Sequence, residues 1–460
     1  MTTAERVPAR DVLRLAAPAL PVLAEPLYLL VDTAVVGRLG AVPLAGLAVA
    51  AVVFAQVTSQ LTFLSYGTTA RVARLYGAGR RTDAVTEGVQ ATWVALAVGA
   101  LVVVVGQLVA EPVVAALGDG GAVAAAAENW LRVALWGAPL VLVTLAGNGW
   151  MRGVHDTVRP LRYVLAGNGL SAVACPLLVH GVGPFSGLGL VGSAWANLIG
   201  QTLGAGLFLR ALWTEIRGLE DRRAARLRPD HENDGVRVRL RPDPTRIRAQ
   251  LALGRDLVIR SLAFQACFLS AAAVAARFGA PALAAHQIVL QLWTFMALVL
   301  DAVAIAAQAL VGAALGAGGA ARARAVARQV TGYGLVLGIA FGVLFAALSR
   351  VLPPVFTDDP AVLAEVPIPW WFFAAMQPVA GVVFALDGVL LGAADAAFLR
   401  TATVTAAVVG FLPLVWLALV FGWGLVGIWS GLAVFMLLRL VAVLWRERSG
   451  RWVVTGPVRQ

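Results

Sequence analysis

Leu27-Tyr-Leu-Leu-Val-Asp-Thr-Ala-Val-Val-Gly-Arg-Leu-Gly40 is an apolar run with one carboxylate, Asp32, set inside it. A charge in hydrocarbon is costly, so an intramembrane Asp reads first as a functional group with a partner or a proton. Proline recurs just before it, at Pro18, Pro21 and Pro26. Each removes a backbone donor and bends the helix, which is tolerated where neighbouring helices or water satisfy the freed carbonyls. Glu25 and Tyr28 precede Asp32 by seven and four residues. Helical geometry places the three on one face, with the two carboxylates ~10 Å apart along the axis. The alternative is that Asp32 only caps a helix end or pairs with a structural arginine.

The rest of the chain reads as a frame around this helix. Hydrophobic residues make up 60% of the 460 and charged residues only 13%, and the mean hydropathy is +0.82. A soluble domain does not need that much apolar surface, so the composition indicates an all-α, polytopic membrane protein. About twelve spans fit the usual length of ~20 residues, at 12–36, 44–70, 86–109, 125–150, 161–182, 187–212, 250–276, 282–312, 327–349, 366–391, 400–421 and 424–445. The first run extends too far, and carries too many prolines, to be a cleavable signal. All 36 basic residues are arginine, and the net charge is +11. Because these arginines fall in loops, the sign reports orientation rather than a nucleic-acid partner. One set of breaks holds Arg71, Arg74, Arg80, Arg81, Arg152, Arg159, Arg162, Arg322, Arg324, Arg328 and Arg400. The other holds only Arg38, Arg132, Arg277 and Arg350. The positive-inside rule then puts both termini in the cytoplasm.

Glu215 to Arg248 is the longest polar stretch, with ten arginines and no Phe, Tyr or Trp to stack on a base. It reads as a solvated cytoplasmic linker rather than a nucleic-acid site. The expected organisation is a lobe over 1–213, a linker over 214–249, a second lobe over 250–448 and a cytoplasmic tail over 449–460. The two lobes repeat each other. Gly37-Arg-Leu-Gly-Ala-Val-Pro-Leu-Ala45 resembles Ala276-Arg-Phe-Gly-Ala-Pro-Ala-Leu-Ala284 at a separation of 239. The same separation relates Gly77-Ala-Gly79 to Gly316-Ala-Gly318, and Gly153 and Asp156 to Gly392 and Asp395. Two six-helix halves of like orientation form a secondary-transporter architecture.

Polar groups inside the spans mark a candidate cavity. The second span offers Gln56, Ser59, Gln60 and Tyr66, and the eighth offers Gln287, Gln291, Thr294, Asp301 and Gln308. The steps of 4, 3, 7 and 7 in the eighth keep all five on one helical face. Such a stripe faces protein or a watery cavity, and the central cavity is expected to be acidic and polar. Interhelical hydrogen bonding is the alternative for any single Gln. Arg260 and Asp387 form an expected buried structural pair. His286 is placed near the outer end of its span, where it serves as a proton shuttle or only as a hydrogen-bonding residue. Cys175 and Cys267 form no framework. No nucleophile with a base, no metal spacing and no phosphate loop is present, so an enzyme is disfavoured.

These residues together resemble the multidrug and toxic compound extrusion (MATE) family, in its DinF-like branch. The matching pieces are Val31-Asp-Thr-Ala-Val-Val-Gly-Arg-Leu-Gly40, Arg255-Asp-Leu-Val-Ile-Arg-Ser-Leu-Ala-Phe-Gln265, Leu283-Ala-Ala-His-Gln-Ile288, Leu386-Asp-Gly-Val-Leu-Leu-Gly392 and Gly187-Leu-Gly-Leu-Val-Gly192. The resemblance implies a twelve-helix exporter in a bacterial plasma membrane, acting as a monomer without a cofactor. It would exchange inward H⁺ or Na⁺ for outward organic cations or amphipathic drugs. The VDT carboxylate, here Asp32, would couple the cation. The chain departs from the family where relatives carry Asn and Asp four residues apart in the fifth helix and this one has Ser171 and Cys175. It also lacks the seventh-helix Glu. Both departures favour H⁺ over Na⁺, although Asn148, Asn168 and Ser171 still offer oxygens to sodium. A lipid-linked-sugar flippase of related architecture is the competing transporter reading, and it calls for a more cationic cavity.

Overall fold

The computed structural model describes residues 24–117, 121–182, 185–226 and 237–457, with the backbone alone for 24–29, 117, 185 and 223–226. Ten helices among these residues are long and apolar enough to cross a membrane, against about twelve expected. Of the expected first span, 12–23 lies outside the described residues and the rest forms the helix Ala24–Gly37. The sixth forms the helix Leu190–Arg226, but Asn197, Gln201 and Arg210 keep it out of the apolar set. Helices dominate because a membrane offers no water to backbone N–H and C=O groups, and a helix satisfies them within one segment.

The chain divides into two compact units, one ending at Gly254 and the other beginning at Arg255. The division falls inside the helix Pro244–Arg277, and the preceding helix runs on to Arg226, past the expected lobe edge at 213. The expected solvated linker is instead docked at its second end. Gln90 donates to the carbonyls of Arg239 and Arg241 at 3.3 and 3.0 Å and accepts from the Asp243 N–H at 2.7 Å. Trp93 Nε1 donates to the Leu240 carbonyl at 2.9 Å. Arg246 pairs with Asp83 at 2.6 Å, and Gln250 donates to the fully buried Glu87 at 2.7 Å. Side chains that satisfy an extended backbone hold this strap in place. Arginine content alone gave no hint of it.

The repeat is written in the backbone. The helices Ala41–Leu61 and Phe63–Gly77 fill one unit over the same positions, 239 apart, that the unbroken helix Ala280–Gly316 fills in the other. A Thr62 turn interrupts the first copy, its hydroxyl donating back to the Ser59 carbonyl at 2.8 Å, whereas Asp301 stands at that place in the second. Both copies end in the same cap. Gly79 and Gly318 take φ of 73° and 78°, left-handed values that glycine adopts without steric cost. The N–H groups of Arg80 and Gly319 close these turns on the carbonyls of Leu75 and Ala314. The non-glycine residues His155 and Ala394 sit at φ 63° and 56°, and the following Asp156 and Asp395 N–H groups bond the Met151 and Leu390 carbonyls.

Close helix contacts repeat as well. A Cβ on Gly149 would fall 2.5 Å from the Ser65 carbonyl oxygen, and one on Gly388 would fall 2.2 Å from that of Ala304. Small residues let the helix backbones approach where lipid provides no hydrophobic drive for association.

Candidate functional site

In the first unit, Asp32 lies on the helix Ala24–Gly37, which packs against Val158–His180. Its carboxylate is buried, with 2% exposure. The Cys175 thiol donates to Asp32 Oδ1 at 3.3 Å, and the Ser193 hydroxyl donates to the same carboxylate. Ser193 in turn accepts the Trp130 indole N–H at 2.8 Å. Cys175 and Ser193 are fully buried and Trp130 almost so. The helices 24–37, 121–134, 158–180 and 190–226 therefore converge on one carboxylate whose described hydrogen-bond donors are a thiol and a hydroxyl. No cation is among these partners. A proton or a cationic ligand can neutralise the group, and an exchange of the two is the chemistry this arrangement supports.

The other expected members of this site disperse. Ser171 spends its hydroxyl on the Ala196 carbonyl at 2.9 Å, one helical turn from Cys175. Asn148 and Asn168 are half-buried, on the helices Ala138–Gly153 and Val158–His180. The side chains of Glu25 and Tyr28 lie outside the described residues. Gln56 is exposed, Tyr66 is half-buried, and the half-buried Gln60 donates to Ser59 at 3.4 Å. Ser193 and Trp130 were not legible beforehand, because nothing local distinguishes a serine after Gly192 from any helix-packing serine.

The second unit bears on three expectations. Arg260 and Asp387 do meet, at 2.5 Å, but Asp387 Oδ2 also accepts from Arg439. The pair is a triad of two guanidiniums and one carboxylate. Arg439 comes from the last helix, Gly424–Ser449, and has 1% exposure. It packs over the Phe264 ring at 4.8 Å from the centroid and over Phe435 at 5.7 Å. Second, the triad lines a cavity of about 230 Å³ whose other walls include Phe264, Phe268, Trp293, Met376 and Trp429. This cavity is aromatic and carries two guanidiniums against one carboxylate. The helix Ala280–Gly316 presents Leu290, Trp293 and Ala297 to it, while the expected polar stripe lies alongside. Gln287, Gln291 and Thr294 are exposed, Asp301 is half-buried and Gln308 is buried. Third, His286 stands in the second turn of the helix Ala280–Gly316. It is fully buried against Trp429, ring centroids 5.8 Å apart, and neither ring nitrogen has a hydrogen-bond partner among the described residues.

The comparisons agree with the repeat. The family model MatE matches twice, over residues 18–177 and 257–417, and the two matches begin 239 residues apart. Protein DETOXIFICATION 44, chloroplastic, of Arabidopsis thaliana is 33% identical over 96% of this chain and 83% of its own length. DNA damage-inducible protein F of Escherichia coli strain K12 is 30% identical over 93% of this chain and 90% of its own. A crystal structure of MATE in the bent conformation superposes with a TM-score of 0.84 at 20% identity, covering 97% of both chains. An outward-facing multidrug resistance MATE transporter of the MOP superfamily gives 0.80 at 19% identity over 96% of both. Structures this distant in sequence speak for the fold, whereas the doubled family match and the full-length relatives speak for descent. The chain belongs to the MatE family of multidrug and toxic compound efflux transporters, multi-pass membrane proteins and not enzymes.

Proposed function

We propose that this protein exports amphipathic organic compounds, organic cations among them, in exchange for protons, and that Asp32 carries the coupling proton. The observation behind this reading is the Asp32 site: a buried carboxylate in a membrane-spanning unit, with a thiol and a hydroxyl as donors and no cation beside it. Alternating access would expose the carboxylate to each side in turn. A proton and a cationic substrate then cannot both neutralise it, and that exclusion is what makes an exchanger. Sodium fits less well. It wants several converging hard oxygens, and the Cys175 sulfur occupies one of the nearest positions.

Cys175→Asp tests this directly, because it would set a second carboxylate beside Asp32. Transport by that variant should gain sodium dependence in proteoliposomes at fixed pH. An unaltered ion profile would show that the thiol does not decide the coupling ion.

The positive net charge in the second unit's cavity is the feature a flippase calls for. The doubled MatE match and the buried Asp32 favour the drug exporter. The Escherichia coli relative supports a bacterial plasma membrane, and the arginine distribution supports cytoplasmic termini and linker. Both native cysteines are buried, which gives labelling a quiet background. A cysteine introduced at Asn233 should resist an impermeant maleimide applied to intact cells and react once the cells are opened. Labelling in intact cells would invert the topology.

A further inference from the structure

The Arg260–Asp387–Arg439 triad does not balance its own charge. Two guanidiniums share one carboxylate oxygen, which leaves a net positive charge beside an apolar cavity. Asp387 is the only acid among the described lining residues. Buried ions persist when paired, so a second guanidinium on one carboxylate beside an apolar cavity suits an anion. The faces of Phe264 and Phe435 offset part of that charge, but a ring quadrupole accepts no hydrogen bond from the guanidinium edges. Arg260 Nε has no acceptor among the described residues. Trp429 also lines the cavity; it has 1% exposure, and its indole N–H has no acceptor among them either. Two unsatisfied donors thus belong to residues of one aromatic-walled space, and unmade hydrogen bonds of this kind are costly to leave.

We infer that the cavity of the second unit binds a small organic anion, its carboxylate or sulfonate seated on Arg260 and Arg439 and its aromatic body between Phe268 and Trp293. This site goes beyond the proton-coupled export proposed above and does not rest on it, since every group named lies after Gly254 and none touches Asp32. The volume of about 230 Å³ suits a compound of roughly two fused rings. Arginine is the residue for such a ligand because its planar fork matches a carboxylate and stacks on aromatic faces. Asp387 holds the two forks apart and in place. Its second oxygen, Oδ1, has no partner and is available to a hydroxyl donor on the ligand.

Calorimetric titration of the purified full chain in nanodiscs tests this with three probes of one shape: 2-naphthoate, 2-naphthylmethanol and 2-naphthylmethylammonium. Naphthoate should bind at least about tenfold tighter than either of the others. Arg260→Gln leaves a neutral Asp387–Arg439 pair and should remove about that advantage while leaving naphthylmethanol binding unchanged. Equal or tighter binding of the ammonium or the alcohol would overturn the inference, as would no naphthoate binding at millimolar concentration. So would unchanged naphthoate affinity in Arg260→Gln, because the anion would then sit elsewhere. The ranking of the three probes on the unmodified protein needs no variant, so a poorly folded Arg260→Gln does not rescue the idea.

Discussion

Asp32→Asn protein should insert and fold in near-normal amounts yet export substrate no faster than empty membranes. The asparagine keeps the shape of the site and leaves an oxygen for the Cys175 thiol and the Ser193 hydroxyl. The stability cost should therefore stay near that of one altered neutral hydrogen bond, about 1 kcal/mol. What the substitution removes is the one carboxylate among the described groups of this site. Coupling and stability should separate cleanly. Dye efflux from inverted vesicles, alongside the amount of folded protein recovered, measures both. Export at the normal rate would make Asp32 a structural residue.

The second large effect is on folding. Asp387→Asn strands two guanidiniums at once, one of them Arg439 at 1% exposure. Removing one partner of a buried ion pair costs about 3–5 kcal/mol, a large share of the usual stability of about 5–15 kcal/mol, so the yield of folded protein should fall. The triad also fixes which second substitution rescues it. Adding Arg439→Gln leaves only Arg260, whose side chain retains 17% exposure and can reach water. Adding Arg260→Gln leaves Arg439 buried and unpaired. Yield should recover more with the first double variant than with the second, as judged by size-exclusion profiles and thermal unfolding in detergent. Full recovery with Arg260→Gln would reduce the triad to the simple pair.

The sequence made the repeat plain for a physical reason: helix ends and close backbone approaches tolerate few residue types. Gly79 and Gly318 are legible because a left-handed cap excludes most side chains, and Gly153 and Gly392 because a Cβ would crowd Val72 and the Gln308 carbonyl oxygen. Asp32 stood out as a carboxylate in an apolar run. Its partners did not. Ser193 and Trp130 are common packing residues, and only the fold brings them to the carboxylate. Arg439 was hidden differently. It precedes Arg446 and Arg448 by about two helical turns and reads as the basic border of a span, although it points to Asp387. The strap at 237–250 escaped because Gln90 bonds backbone groups, and any sequence offers those. The first hint lay in Asp83, Glu87 and Gln90, whose steps of 4 and 3 align polar side chains on one face at the start of an otherwise apolar helix.

Proton coupling through Asp32 is tested most directly by measuring proton flux itself. Purified protein is reconstituted in liposomes that trap a pH-sensitive dye, in sodium-free buffer, and an outward gradient of a cationic dye substrate is imposed. The account predicts that substrate leaving the liposomes drives protons the opposite way, that added sodium leaves the flux unchanged, and that Asp32→Asn abolishes it. Substrate movement that follows a sodium gradient at fixed pH, with no accompanying proton movement, would contradict it.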